Sequence, residues 1–184
     1  MENIFEQIMS DTTQKKQVIS LAKKLSKKFS VNSFNNLGDL QELAYWLFVF
    51  SKNELSEQVC NVIAKEQFKN VTLWAPVEYV KSLKCKFLLE KGKIEEAKTI
   101  IDEITAVNKN SNGFIRRLNG SLLPINEINS ALEDNDVKMA VSYTFSQISD
   151  LVFIKIMGGS ETISKEKAQE MIDNSIDFIL KNIK

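Results

Sequence analysis

The sequence predicts an all-α fold, and three observations carry that prediction. Chain breakers are scarce, with six glycines and two prolines in 184 residues. Apolar residues recur every three or four positions through most of the chain, the spacing that lines one face of a helix. Residues that cap helices stand where those periodic runs begin. With 43% hydrophobic and 26% charged residues, the chain has the composition of an ordinary globular domain. Its length suits a single domain spanning residues 1–184.

The first periodic segment runs from Gln14 to Phe29. Val18, Leu21, Ala22, Leu25 and Phe29 share one face, and Lys15, Lys16, Lys23, Lys24, Lys27 and Lys28 occupy the other. Residues 12–29 hold these six lysines and no acid. A solvated helix face explains this. Nucleic acid is not an expected partner, because no aromatic side chain is interleaved to stack bases. A loop from Ser30 to Gly38 follows. Asp39, with Glu42 three residues on, then has the pattern of a capping box opening the next helix. That helix contains eight consecutive apolar residues, Leu43 to Phe50. Such a run leaves no polar face, so it predicts burial on several sides or self-association into a homodimer. A short buried strand is the competing reading here, as it is for residues 151–156.

Asn53 starts a helix with Leu55, Val59, Val62 and Ile63. Pro76 suits the first turn of the next, where its missing N–H costs nothing; that helix carries Val77, Val80, Leu83, Phe87 and Leu88 and stops near Gly92. Lys93 to Asn108 presents Ile94, Ala97, Ile101 and Ile104 on one stripe. The polar stretch Asn108–Gly120 reads as a loop anchored by Phe114 and Ile115. Pro124 opens a short helix to Leu132, and residues 134–136 turn the chain. Val137, Ala140, Val141, Thr144, Phe145, Ile148 and Leu151 form a long stripe ending at Gly158-Gly159. Ser164 caps a last helix.

Three turns share a pattern. Gly92-Lys93-Ile94-Glu95-Glu96-Ala97 places an aliphatic residue two positions after a turn former and a small residue three further on. Asn135-Asp136-Val137-Lys138-Met139-Ala140 repeats it, and Asn53-Glu54-Leu55-Ser56-Glu57-Gln58 repeats its first half. The turn former ends one helix, and the small residue lets its partner approach closely. This pattern resembles the second half of a tetratricopeptide repeat, over about residues 39–158. The turn formers lie 39 and 43 residues apart, against about 34 in that repeat. A tetratricopeptide-like array and an irregular helical bundle are therefore the two architectures in play. The resemblance implies a peptide-accepting groove, with Tyr79, Ser82, Lys86 and Glu90 as the groove-facing residues.

Chemistry is narrowed by what the sequence lacks. There is no histidine, which removes the commonest general base and metal ligand near neutral pH. Ser-His-Asp and Cys-His catalysis are excluded. Cys60 and Cys85, the only cysteines, cannot build a four-cysteine zinc site and read as reduced core thiols. Gly158-Gly159-Ser160-Glu161-Thr162 lacks the Lys-Ser/Thr ending of a phosphate loop. Acids such as Glu95, Glu96, Asp102 and Glu103 fall on polar faces, and no acid interrupts an apolar stripe. No cofactor or metal is expected.

Arg116 and Arg117, the only arginines, are candidate binding residues in the loop before Gly120. The net charge is zero, from 24 basic and 24 acidic residues. No stretch approaches 18 apolar residues, so no membrane span is expected. The acidic start Met1-Glu2-Asn3-Ile4-Phe5-Glu6 does not resemble a signal peptide, which makes the cytoplasm the expected compartment. The function expected is a non-catalytic helical module that binds a protein or peptide. An immunity-type or antitoxin protein and a carboxylate-dependent enzyme are the alternatives.

Overall fold

A computed structural model describes residues 34–183. Among them are eight helices: α1 (Phe34–Val49), α2 (Asn53–Ile63), α3 (Val71–Glu90), α4 (Ile94–Asn108), α5 (Asn112–Leu118), α6 (Ile125–Glu133), α7 (Val137–Ile156) and α8 (Lys165–Asn182). The described residues form no strand; one isolated bridge joins Gly159 and Ser164. Both short apolar runs that could have been strands are helical, in α1 and α7. The lysine-rich segment Gln14–Phe29 lies outside the described residues.

Several local expectations are corrected. Residues 34–38 are helical, so Asp39 sits inside α1 and caps nothing. Helix α3 begins at Val71, where Asn70 accepts a hydrogen bond from the Leu73 amide at 3.0 Å. Pro76 is therefore the sixth helical residue, past the first turn. Its missing N–H leaves the Thr72 carbonyl without the usual donor four residues on. Helix α5 occupies part of the expected Asn108–Gly120 loop, started by Ser111, whose hydroxyl accepts from the Phe114 amide.

Five of the eight described helices, α1, α3, α5, α6 and α7, end in one design. Ser51, Gly92, Gly120, Asn135 and Gly158 all have positive φ. At each, the next residue's amide donates back across the turn: Lys52 to Leu47, Lys93 to Leu88, Ser121 to Arg116, Asp136 to Ala131 and Gly159 to Ile154, at 2.8–3.0 Å. This six-to-one bond satisfies carbonyls that a helix end would otherwise strand.

Four of the described helix starts, those of α2, α4, α7 and α8, also share one arrangement. The residue four after the cap donates the first helical bond in Ser56→Lys52, Ala97→Lys93, Ala140→Asp136 and Ala168→Ser164. All four donors are small and fully buried. The turns thus repeat with Ser51 beside Gly92 and Asn135, and Ser56 beside Ala97 and Ala140. Asn53 belongs two positions later, as the first helical residue, which is why Gln58 breaks the register read from the sequence.

The chain divides into two compact units, Met1–Ile100 and Ile101–Lys184. In the first, α1, α2 and α3 pack together. The Ser56 hydroxyl donates to the Ala44 carbonyl at 2.7 Å, tying α2 to α1. Phe48 of α1 meets Phe87 of α3 edge-on at 6.1 Å. All residues from Leu43 to Phe50 are buried, so a single chain covers the run that suggested self-association. The Cys85 thiol of α3 reaches the Ala97 carbonyl at 3.6 Å.

In the second unit α7 is central, packed by α5, α6 and α8. Phe114 meets Phe153 edge-on at 5.4 Å, and Gln147 donates to Ser175 of α8 at 3.2 Å. The turn into α8 needs glycine at 159. A Cβ there would lie 2.9 Å from both the Ile163 carbonyl oxygen and the Lys165 nitrogen, at a φ of +98°.

Candidate functional site

The four groove candidates lie on α3 and do not form one exposed surface. Ser82 is fully buried, and its hydroxyl donates to the Glu78 carbonyl one turn back at 2.9 Å. Tyr79 is half-buried, and its carbonyl accepts from the Tyr45 hydroxyl at 2.9 Å. Lys86 is buried, with its ammonium 4.9 Å from the centre of the Phe48 ring and paired with the Glu90 carboxylate one turn on. Only Glu90 is exposed. The structure brings Lys86 and Glu90 together; Ser82 offers nothing to a surface ligand.

Two acids do enter buried positions, contrary to the reading that none interrupts an apolar stripe. Glu78 on α3 and Asp150 on α7 are both buried. Asp150 accepts the charge of Arg117, whose Nε lies 3.3 Å from its Oδ1. The Arg117 guanidinium also stacks 4.6 Å from the centre of the Phe153 ring. This is a cation between a carboxylate and an aromatic face, which holds α5 to α7.

The two arginines therefore differ. Arg117 is a packing residue, and its neighbour Arg116, turned about a quarter of the helix circumference away, is exposed. Of the two expected loop anchors, Phe114 is buried and Ile115 is 51% exposed.

Burial pushes the Cys60 and Cys85 thiols up to about 12 from an ordinary 9.0. Both cysteines are fully buried and unbridged. They are inert as nucleophiles at neutral pH. Among the described residues, no group of three acids or cysteines is placed to hold a metal ion. No helix there is long and apolar enough to cross a membrane.

The most distinctive surface is one that helical periodicity alone did not single out. Eleven large apolar side chains are exposed among the described residues, and seven fall between Val107 and Met139. On α6, Ile125, Ile128 and Leu132 share one stripe by their i, i+3 and i+7 spacing. Only Ala131 of α6 is buried. Ile125 is 46% exposed and Leu132 42%, so the apolar face of α6 is half covered. Val137 and Met139, at the start of α7, are exposed to the same degree. The turn between them is held by the Asn135 amide on Leu132 and the Asp136 amide on Ala131, at 3.1 and 2.8 Å. Amphipathic spacing was visible in the sequence; that its apolar side faces outward was not.

No curated protein and no solved structure matches the chain. A family model matches residues 1–183, nearly the whole length, and the chain belongs to that family, described as Family of unknown function (DUF6707).

Proposed function

We propose that this protein is a non-catalytic helical module that binds a protein or peptide partner through the surface around α6 and the start of α7. The observation that supports this most directly is the half-covered apolar stripe of α6. Scattered apolar residues are normal on any surface. A helix face left half open, with further exposed apolar residues across a three-residue turn, has the character of an interaction site.

The site lacks the parts of an active centre. The described titratable groups across residues 125–139 are four exposed acids and one exposed lysine. Helical hairpins, whose turns resemble those of tetratricopeptide-like proteins, suit a scaffold that presents such a face. In this reading the surface lies on α6 and α7, and the Tyr79–Glu90 face of α3 serves packing.

Site-specific photo-crosslinking tests the proposal in the protein's own cells. A crosslinker at position 132 should capture one predominant partner, and one at the exposed Glu170 of α8 should not. The additional change Ile125→Asp should abolish the capture at 132. Equal capture from both positions, or none from 132, would overturn the reading.

A further inference from the structure

We infer that the α6–α7 surface takes a basic amphipathic helix, with the partner's apolar side on Ile125, Leu132 and Val137 and its cations on the acids around them. This rests on the interaction role proposed above and adds the partner's chemistry. Across residues 125–139 there are four acids, Glu127, Glu133, Asp134 and Asp136, against one base, Lys138. All five are exposed. Three of the acids lie between Leu132 and Val137, Glu133 at the end of α6 and Asp134 and Asp136 in the turn that joins it to α7. The negative charge is therefore concentrated at the α6–α7 turn, beside Leu132 and Val137, in a chain whose total charge is zero.

An acidic partner would meet like charge beside the apolar contact, a juxtaposition that costs affinity and orientation. A helix suits the patch because the α6 stripe is itself a ridge of i, i+3 and i+7 side chains, and a second helix can pack its own ridge along it.

The test is binding of three fluorescein-labelled synthetic peptides to the full chain, followed by anisotropy. One is a Leu/Lys amphipathic helix of about five turns. The second has glutamate for every lysine. The third keeps the Leu/Lys composition in an order that gives no apolar face. The amphipathic Leu/Lys peptide should bind at least about tenfold more tightly than either other, and its affinity should fall with added salt as exposed charges are screened. Glu133→Lys with Asp134→Lys should weaken it at least about tenfold; Asp136 is left intact because its carboxylate caps α7. Ile125→Ser with Leu132→Ser should weaken it as much. These residues are exposed, so each variant should keep its helical circular dichroism.

Equal binding of the glutamate peptide, or full binding by the charge-reversed variant, would overturn the inference and leave the proposed interaction surface standing. Failure of the Leu/Lys peptide to bind at all would overturn it too, with the photo-crosslinking result deciding separately whether the surface has another kind of partner.

Discussion

Arg117 and Arg116 are adjacent in sequence and identical in type, and the fold gives them opposite tasks. A helical step of about 100° per residue turns one toward α7 and the other to solvent. The sequence marks both as the chain's only arginines; which of them is internal depends on where α7 lies. The consequence is measurable. Arg117→Met removes the cation 3.3 Å from the Asp150 carboxylate, with both side chains about nine-tenths buried. Such a change is expected to cost about 3 kcal/mol or more, because a buried charge loses its partner. Arg116→Met should change stability by about 0.5 kcal/mol or less. Urea denaturation of the two variants checks the contrast, and equal midpoints would refute it.

The thiols give a second residue-scale test. Their folded pKa is raised by burial, so the neutral form is favoured in the native state. The stability this contributes is complete below about pH 9 and is lost as pH rises toward 12. A disulfide reagent at pH 8 should find no reactive thiol in the native protein and two after unfolding in urea.

At the scale of the element, the periodic apolar runs were legible and the turn registers were only partly so. Gly92 and Asn135 announce their turns by residue type, since both types tolerate positive φ. Ser51 takes the same conformation at φ +57°, and serine carries no such signal. The residue-type signal for the third copy of the turn therefore falls two residues late, at Asn53. Helix α5 gives no sequence signal for a related reason: it has seven residues, too few for a period to show, and it is bordered by polar residues.

The small residues four after the cap carry the packing meaning of these turns. Ala97 and Ala140 are fully buried, so Ala97→Leu and Ala140→Leu should each destabilise by roughly 1–3 kcal/mol through overpacking. The glycines should separate in the same way. Gly92→Ala meets no atom within 4 Å and bears only the cost of positive φ, whereas Gly159→Ala also collides with backbone at 2.9 Å. Thermal unfolding should rank Gly159→Ala well below Gly92→Ala; the reverse order would mean that the turn before α8 relaxes freely.

For the molecule as a whole, the sequence leads to every described helix except α5, but not to the surface they leave open. An amphipathic pattern states that a helix has an apolar side. It does not state whether the rest of the chain covers that side. The Leu43–Phe50 run looked too apolar for one chain to bury, and it is buried throughout. The shorter stripe of α6 looked ordinary and is half exposed. This divides the large apolar residues into two classes that mutation can tell apart. Leu151, fully buried on α7, should lose about 2–5 kcal/mol on Leu151→Ala, from lost transfer energy and the cavity left behind. Leu132 is 42% exposed. Leu132→Ser forfeits only part of its burial energy and should cost about 1 kcal/mol. If α6 instead serves the core, the two losses will be similar. If it is kept apolar for a partner, Leu132→Ser will leave stability nearly intact and remove photo-crosslinking at the neighbouring position 125. That pairing of a small stability change with a large binding change is the outcome a purely structural role for α6 does not produce.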